Sequence, residues 1–304
     1  MNKTKKTLFE NYAKNFELIT GEKNIYMCPL CLNKFLFSEV DNLTIEHIVP
    51  DNLGGKYKIL TCKKCNNEFG SKVLSKFTKV LAIEDINSGK SKDPLDVELT
   101  VNEKTIKADA YFKKIQPPFE ISFDLHNNRS NPLNKKYFLN LLESGQVNTI
   151  KMKINLGPVK KYLRMGMFIS TYYLLFSYFG YFFVLNSSGQ YLREIITNFD
   201  YDHPFTYIME MNNDQGETLK PEVYICSEPK EVKKFVLTVI YCQTKNDIHK
   251  YGILLPFLPD VKIDKDIIQN NKPLQLKTIL VDFDIDLKNQ FLFSTNDQNV
   301  NHLR

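Results

Sequence analysis

The chain carries no strong excess of either charge, no internal repeat and no apolar stretch in its opening residues. Each absence narrows the options. A net charge of +5 over 304 residues permits an anionic partner without demanding one. Without a segment recurring at a fixed period, solenoid and propeller architectures are excluded. The opening MNKTKKTLFENYAKNF lacks the apolar region of a secretory signal, so a cytoplasmic chain is the expectation. Six cysteines in that setting read as thiols or metal ligands rather than disulfides. Arginine is missing between Lys56 and Lys79, so nothing there offers the forked guanidinium that reads guanine.

What is present is an ordinary globular balance, 43% hydrophobic and 25% charged, long enough for about two domains. Leu8, Phe9, Tyr12, Phe16 and Ile19 fall at helical spacing near the start. Phe69, Val73, Phe77, Val80 and Leu81 mark a second amphipathic helix. The polar stretch NSGKSKDPLD (87–96) reads as a linker, dividing residues 1–88 from 96–304. Beyond it, segments such as VELTV (97–101), FVLTVIYC (235–242) and YGILLPFL (251–258) read as strands. The expected class is α+β: a small N-terminal module, then a larger, mostly antiparallel domain around one buried apolar helix.

Cys28 and Cys31 form one CxxC pair, Cys62 and Cys65 another, with 30 residues between. Each knuckle turns tightly enough to aim two sulfurs at one ion, so the four suit a single tetrahedral Zn²⁺. A closed four-sulfur site has no open position, which makes this zinc structural and puts chemistry elsewhere. Cys226 and Cys242 sit in apolar strand patterns and read as small buried hydrophobes.

Between the knuckles lies TIEHIVP, with Glu46 beside His47, and Asn66 directly follows Cys65. Neighbouring strand residues point to opposite faces, so Glu46 and His47 take different tasks. Glu46 and Asn66 offer hard oxygens of the kind Mg²⁺ or Mn²⁺ accepts. His47 can be a neutral base at physiological pH.

In order along the chain, Cys28-x-x-Cys31, Glu46-His47-Ile48-x-Pro50, Gly54-Gly55 and Cys62-x-x-Cys65-Asn66-Asn67-x-x-Gly70 resemble the HNH endonucleases, in their zinc-stabilised branch with two CxxC pairs. The resemblance covers about residues 24–82 and implies a ββα-metal fold and phosphodiester hydrolysis. It implies His47 as general base, Glu46 and Asn66 as ligands of a catalytic divalent ion, and the four cysteines on structural zinc. Two positions depart from the family pattern. The acid before the histidine is commonly Asp and here is Glu46. The family's middle asparagine has no match, since Asn52 lies too early and Tyr57, Lys58 and Ile59 occupy its region.

Lys56, Lys58, Lys63, Lys64, Lys72, Lys76 and Lys79 crowd this region against Glu68 alone. They suit phosphate contacts that bring affinity without reading sequence. The expected partner is DNA, with RNA left open, and two-strand cleavage by a single-site enzyme allows a homodimer. Restriction or anti-phage defence is implied only by what nucleases with added domains do. The rival is a non-catalytic zinc module that binds nucleic acid. A second rival is a membrane protein, because residues 165–185 are long and apolar enough to span a bilayer. Tyr172, Tyr173, Tyr178 and Tyr181, and a turn at Asn186–Gly189, favour a buried core helix instead. Asp202–His203 reads as a loop, and Asp282, Asp284 and Asp286 as a solvated strand face. His126, His249 and His302 show no partner in sequence.

Overall fold

The helical spacing near the start forms α1 (Lys3–Thr20), which buries Leu8, Phe9, Tyr12, Ala13 and Phe16. Two short hairpins follow: β1 (Ile25–Met27) pairs with β2 (Lys34–Leu36), and β3 (Leu43–His47) pairs with β4 (Lys58–Cys62). A helical run then opens at the second cysteine pair. It comprises α2 (Lys63–Cys65), a π-helical stretch over Asn66–Leu74, and α3 (Ser75–Asn87).

The computed structural model describes residues 3–114, 120–126, 130–146, 149–154, 159–199, 207–212, 219–228, 235–257 and 277–281. They fall into two compact units, one of residues up to 78 together with those from 160 onward, the other of residues 79–159. Composition alone places a boundary between 88 and 96. By contacts, the cuts fall inside α3 and near the start of the long apolar helix, so residues up to 78 share a unit with those from 160 onward.

That helix is α5 (Val159–Leu185). It is the core of its unit: Phe168, Tyr172, Tyr173, Phe176 and Tyr181 are all buried. Tyr12 stacks on Phe176 at 4.4 Å between ring centres, and Phe16 meets Tyr181 edge-on at 4.9 Å. Gly180 interrupts the helix with φ of 55°, a conformation glycine adopts without a Cβ penalty. The kink takes the Tyr181 N–H out of the helical ladder, and Asn15 Oδ1 accepts it at 2.8 Å. Lys161–Leu185 is long and apolar enough to cross a membrane, yet 83% of its most apolar window is buried within the protein. The turn expected at Asn186–Gly189 is instead a helix start. Asn186 Oδ1 accepts the Gly189 N–H at 2.8 Å and caps α6 (Ser187–Thr197).

The same unit holds a five-stranded antiparallel sheet. Its strands are β9 (Tyr207–Met211), β10 (Glu222–Glu228), β11 (Phe235–Gln243), β12 (Ile248–Pro256) and β13 (Lys277–Leu280), in the order β13-β10-β11-β12-β9. Thr171 on α5 and Thr238 on β11 join their buried hydroxyls at 3.2 Å.

The other unit is a four-stranded antiparallel sheet of β5 (Leu95–Val101), β6 (Lys104–Lys114), β7 (Glu120–Leu125) and β8 (Lys151–Ile154), in the order β7-β6-β5-β8. Alternation buries Val97, Leu99, Val101, Ile106, Ala108 and Ala110 on one face. Phe138 covers them from a helix the strand pattern did not suggest, α4 (Pro132–Glu143), capped by Asn131. The α+β class with a small zinc-type module and a buried apolar helix is thus the observed one. Asp202–His203, Asp282, Asp284, Asp286, His302 and the C-terminal tail lie outside the described residues.

Candidate metal and catalytic centre

The first hairpin and the start of the helical run bring Cys28, Cys31, Cys62 and Cys65 together, with all four sulfurs within 4.8 Å of one another. Cys31 and Cys62 sulfurs lie 3.6 Å apart. Tetrahedral Zn²⁺ with bonds of about 2.3 Å sets its sulfurs about 3.8 Å apart, so the cluster fits that ion. Backbone N–H groups already point at two sulfurs: Cys62 donates to Cys28 Sγ and Cys65 to Cys62 Sγ, each at 3.4 Å. The thiols split in acidity. Donating to Cys31, Cys62 and Cys65 pushes the Cys28 thiol up, and accepting from Cys28 pulls Cys31 down. Four thiolates at this spacing repel one another, and a central dication relieves that repulsion.

Strand β3 carries the acid–histidine pair, with Glu46 opposite Ile59 and His47 opposite Lys58. The helical run carries Asn66. Glu46 and Asn66 converge beside Gly70: a Cβ at that glycine would lie 2.8 Å from Asn66 Oδ1 and 3.9 Å from Glu46 Oε2. Burial pushes the Glu46 carboxyl up to about 7, so its anionic form gains from a nearby cation. Both oxygens lie within 4 Å of that one position, and a carboxylate with a carboxamide oxygen is a donor set that a hard divalent ion takes. Glu46 Oε1 also accepts the His47 N–H at 3.3 Å, which orients the carboxylate.

The His47 side chain is 23% exposed, so its ring is open to a water or a substrate oxygen. Burial lowers its pKa; Asp51 opposes this and Lys58 adds to it. Asp51 Oδ1 stands 3.7 Å from His47 Nε2, a carboxylate partner that sequence spacing did not single out. Its signal was the i, i+4 separation across Pro50. The loop between the strands is held by hydrogen bonds at both ends. Thr78 Oγ1 donates to Asn52 Oδ1 at 3.2 Å, and Ile48 N–H donates to the Tyr57 carbonyl at 3.0 Å. Asn52, too early in the sequence to match the family's middle asparagine, fastens the loop to Thr78 at the start of α3.

Helix α5 supports the centre from beneath with residues absent from any motif. The Tyr181 hydroxyl accepts the Met27 N–H at 2.8 Å and donates to the Met27 carbonyl at 2.6 Å. Tyr172 donates to the Pro29 carbonyl, inside the first knuckle, at 2.5 Å. Tyr26 donates to the Leu60 carbonyl, joining β1 to β4. Tyr173 is buried, which raises its pKa, and the Glu46 charge raises it further.

Among the basic residues, Lys56, Lys58, Lys63, Lys64 and Lys72 are exposed. Lys76 is half-buried; its ammonium donates to Tyr162 Oη at 2.7 Å and lies 4.5 Å from that ring centre. Elsewhere, His126 Nε2 stands 3.2 Å from Asp109 Oδ1 and 4.0 Å from Asp96 Oδ1, near both carboxylates without a hydrogen bond to either. Cys226 and Cys242 are buried in the five-stranded sheet.

Comparison with curated proteins and with solved structures gives no match for this chain. One family model does match, that of the HNH endonucleases, over residues 28–82. Its span runs from the first zinc cysteine through both hairpin strands into α3 and encloses Glu46, His47 and Asn66. Residues 28–82 thus match the HNH endonuclease family, and their four sulfurs are gathered as a zinc-binding site.

Proposed function

We propose that this module hydrolyses phosphodiester bonds in DNA. Glu46 and Asn66 would hold a catalytic Mg²⁺ or Mn²⁺, and His47 acts as general base. The observation that carries this reading is the convergence of Glu46 Oε2 and Asn66 Oδ1 on one space beside Gly70, one residue from an accessible imidazole. His47 takes a proton from water as its oxygen attacks phosphorus and the opposite P–O bond breaks. Asp51 and the Glu46–His47 contact hold the imidazole and carboxylate in place. A hard dication supplies Lewis-acid stabilisation of the charge on the phosphate and the leaving oxygen. Lys58, opposite His47 on the hairpin, and exposed Lys56, Lys63, Lys64 and Lys72 bind the backbone without reading bases. Weak sequence preference follows. Action in the cytoplasm in restriction or anti-phage defence, and a second copy for the second strand, extend the reading by family habit.

The test is plasmid DNA with purified protein and Mg²⁺, run beside single-stranded, modified and RNA substrates. Nicking by wild type, lost in His47→Ala, supports the proposal. Binding without nicking in both proteins would favour a non-catalytic zinc module. Cleavage of RNA alone would redirect the substrate.

A further inference from the structure

Gly70 lies four residues after Asn66 in the π-helical stretch, and its backbone is not among the positive-φ glycines. Any L-residue could adopt that conformation, so conformation does not require glycine here. Helix stability disfavours it, because glycine weakens a helix relative to alanine. Space is the remaining reason. Residues four apart on a helix face one another, so a side chain at 70 meets the side chain at 66. The contact would be 2.8 Å to Asn66 Oδ1, closer than a carbon and an oxygen tolerate, with Glu46 Oε2 next at 3.9 Å.

Resting on the metal reading above, we propose that Gly70 is a positioning residue. Its missing side chain keeps open the coordination space shared by Glu46 and Asn66 and lets the Asn66 carboxamide point into it. A methyl group there does two things at once. It turns the carboxamide away, and it fills volume that a hydrated ion or a phosphate oxygen needs. The helix can carry this glycine because the run around it is otherwise anchored: Phe69, Val73 and Leu74 are buried.

The test measures Mn²⁺ binding by titration with electron paramagnetic resonance detection, on the full chain with its zinc in place. Gly70→Ala is expected to weaken Mn²⁺ binding at least tenfold, with unchanged zinc content and an equal or higher melting temperature. Because the effect acts through Asn66, it should shrink in the Asn66→Ala background, where the double variant binds no worse than Asn66→Ala alone. If Gly70→Ala binds Mn²⁺ like wild type while Glu46→Gln and Asn66→Ala lose it, the positioning role is overturned and the metal ligands stand. A lower melting temperature or lost zinc in Gly70→Ala would make the glycine a packing residue and also overturn the role. Wild-type binding retained by both Glu46→Gln and Asn66→Ala would remove the metal reading itself, and the proposal with it.

Discussion

Tyr181→Phe removes a single hydroxyl and strands two backbone groups. In the native fold that hydroxyl takes the Met27 N–H at 2.8 Å and gives its own proton to the Met27 carbonyl at 2.6 Å. Tyr181 is fully buried and Met27 is 4% exposed, so water cannot replace it. Each buried group left unpaired costs about 1–3 kcal/mol, which gives a loss of about 2–6 kcal/mol with the ring packing intact. Met27 immediately precedes Cys28, so the loss should also loosen the first zinc knuckle. Tyr172→Phe strands the Pro29 carbonyl and removes an acceptor of Arg193, so it too should destabilise the fold. Urea unfolding gives the stabilities, and chelator-driven zinc release gives the knuckle's looseness. A Tyr181→Phe protein within about 0.5 kcal/mol of wild type, the range of a neutral surface change, would refute the anchoring role. So would unaltered zinc release.

His47→Ala should leave melting and zinc content unchanged while cleavage falls about 10²–10⁴-fold, as loss of a general base does. Cys62→Ser should lose zinc and unfold the module, since binding energy at such a site is folding energy; equal melting curves for the two variants would contradict the division of roles. Lys58→Ala and Lys63→Ala should each lower the salt dependence of DNA binding by about one unit of slope. Lys76→Ala should change that slope less and cost stability instead, because its ammonium is engaged by Tyr162.

The cysteine cluster was legible in sequence because its parts are short-range. Each CxxC is its own turn, and Glu46, His47 and Asn66 sit at fixed offsets from a knuckle or a proline. The supporting layer was not legible for the opposite reason. Met27 and Tyr181 are 154 residues apart, and no local pattern announces that a tyrosine in an apolar run will hold a zinc knuckle. The run itself read correctly as a buried helix, and α5 shares a unit with α1 and the hairpins. Asn186 illustrates a narrower ambiguity. Asn-Ser-Ser-Gly suits a turn and a helix cap equally, and only the helical spacing of Leu192, Ile195 and Ile196 decides it. Likewise Asn131-Pro132 carried the start signal of α4, overshadowed by the alternation around it. Gly70 belonged to the motif, but its closeness to both Asn66 and Glu46 shows only in the structure.

Zinc on the four sulfurs and a hard dication on Glu46 and Asn66 together make up the proposed centre. Anomalous diffraction from crystals grown with Mn²⁺ locates both at once. The expected maps show zinc among Cys28, Cys31, Cys62 and Cys65, and manganese bonded to both Glu46 and Asn66. Manganese at the sulfur cluster, or none touching Glu46 and Asn66 together, would contradict it.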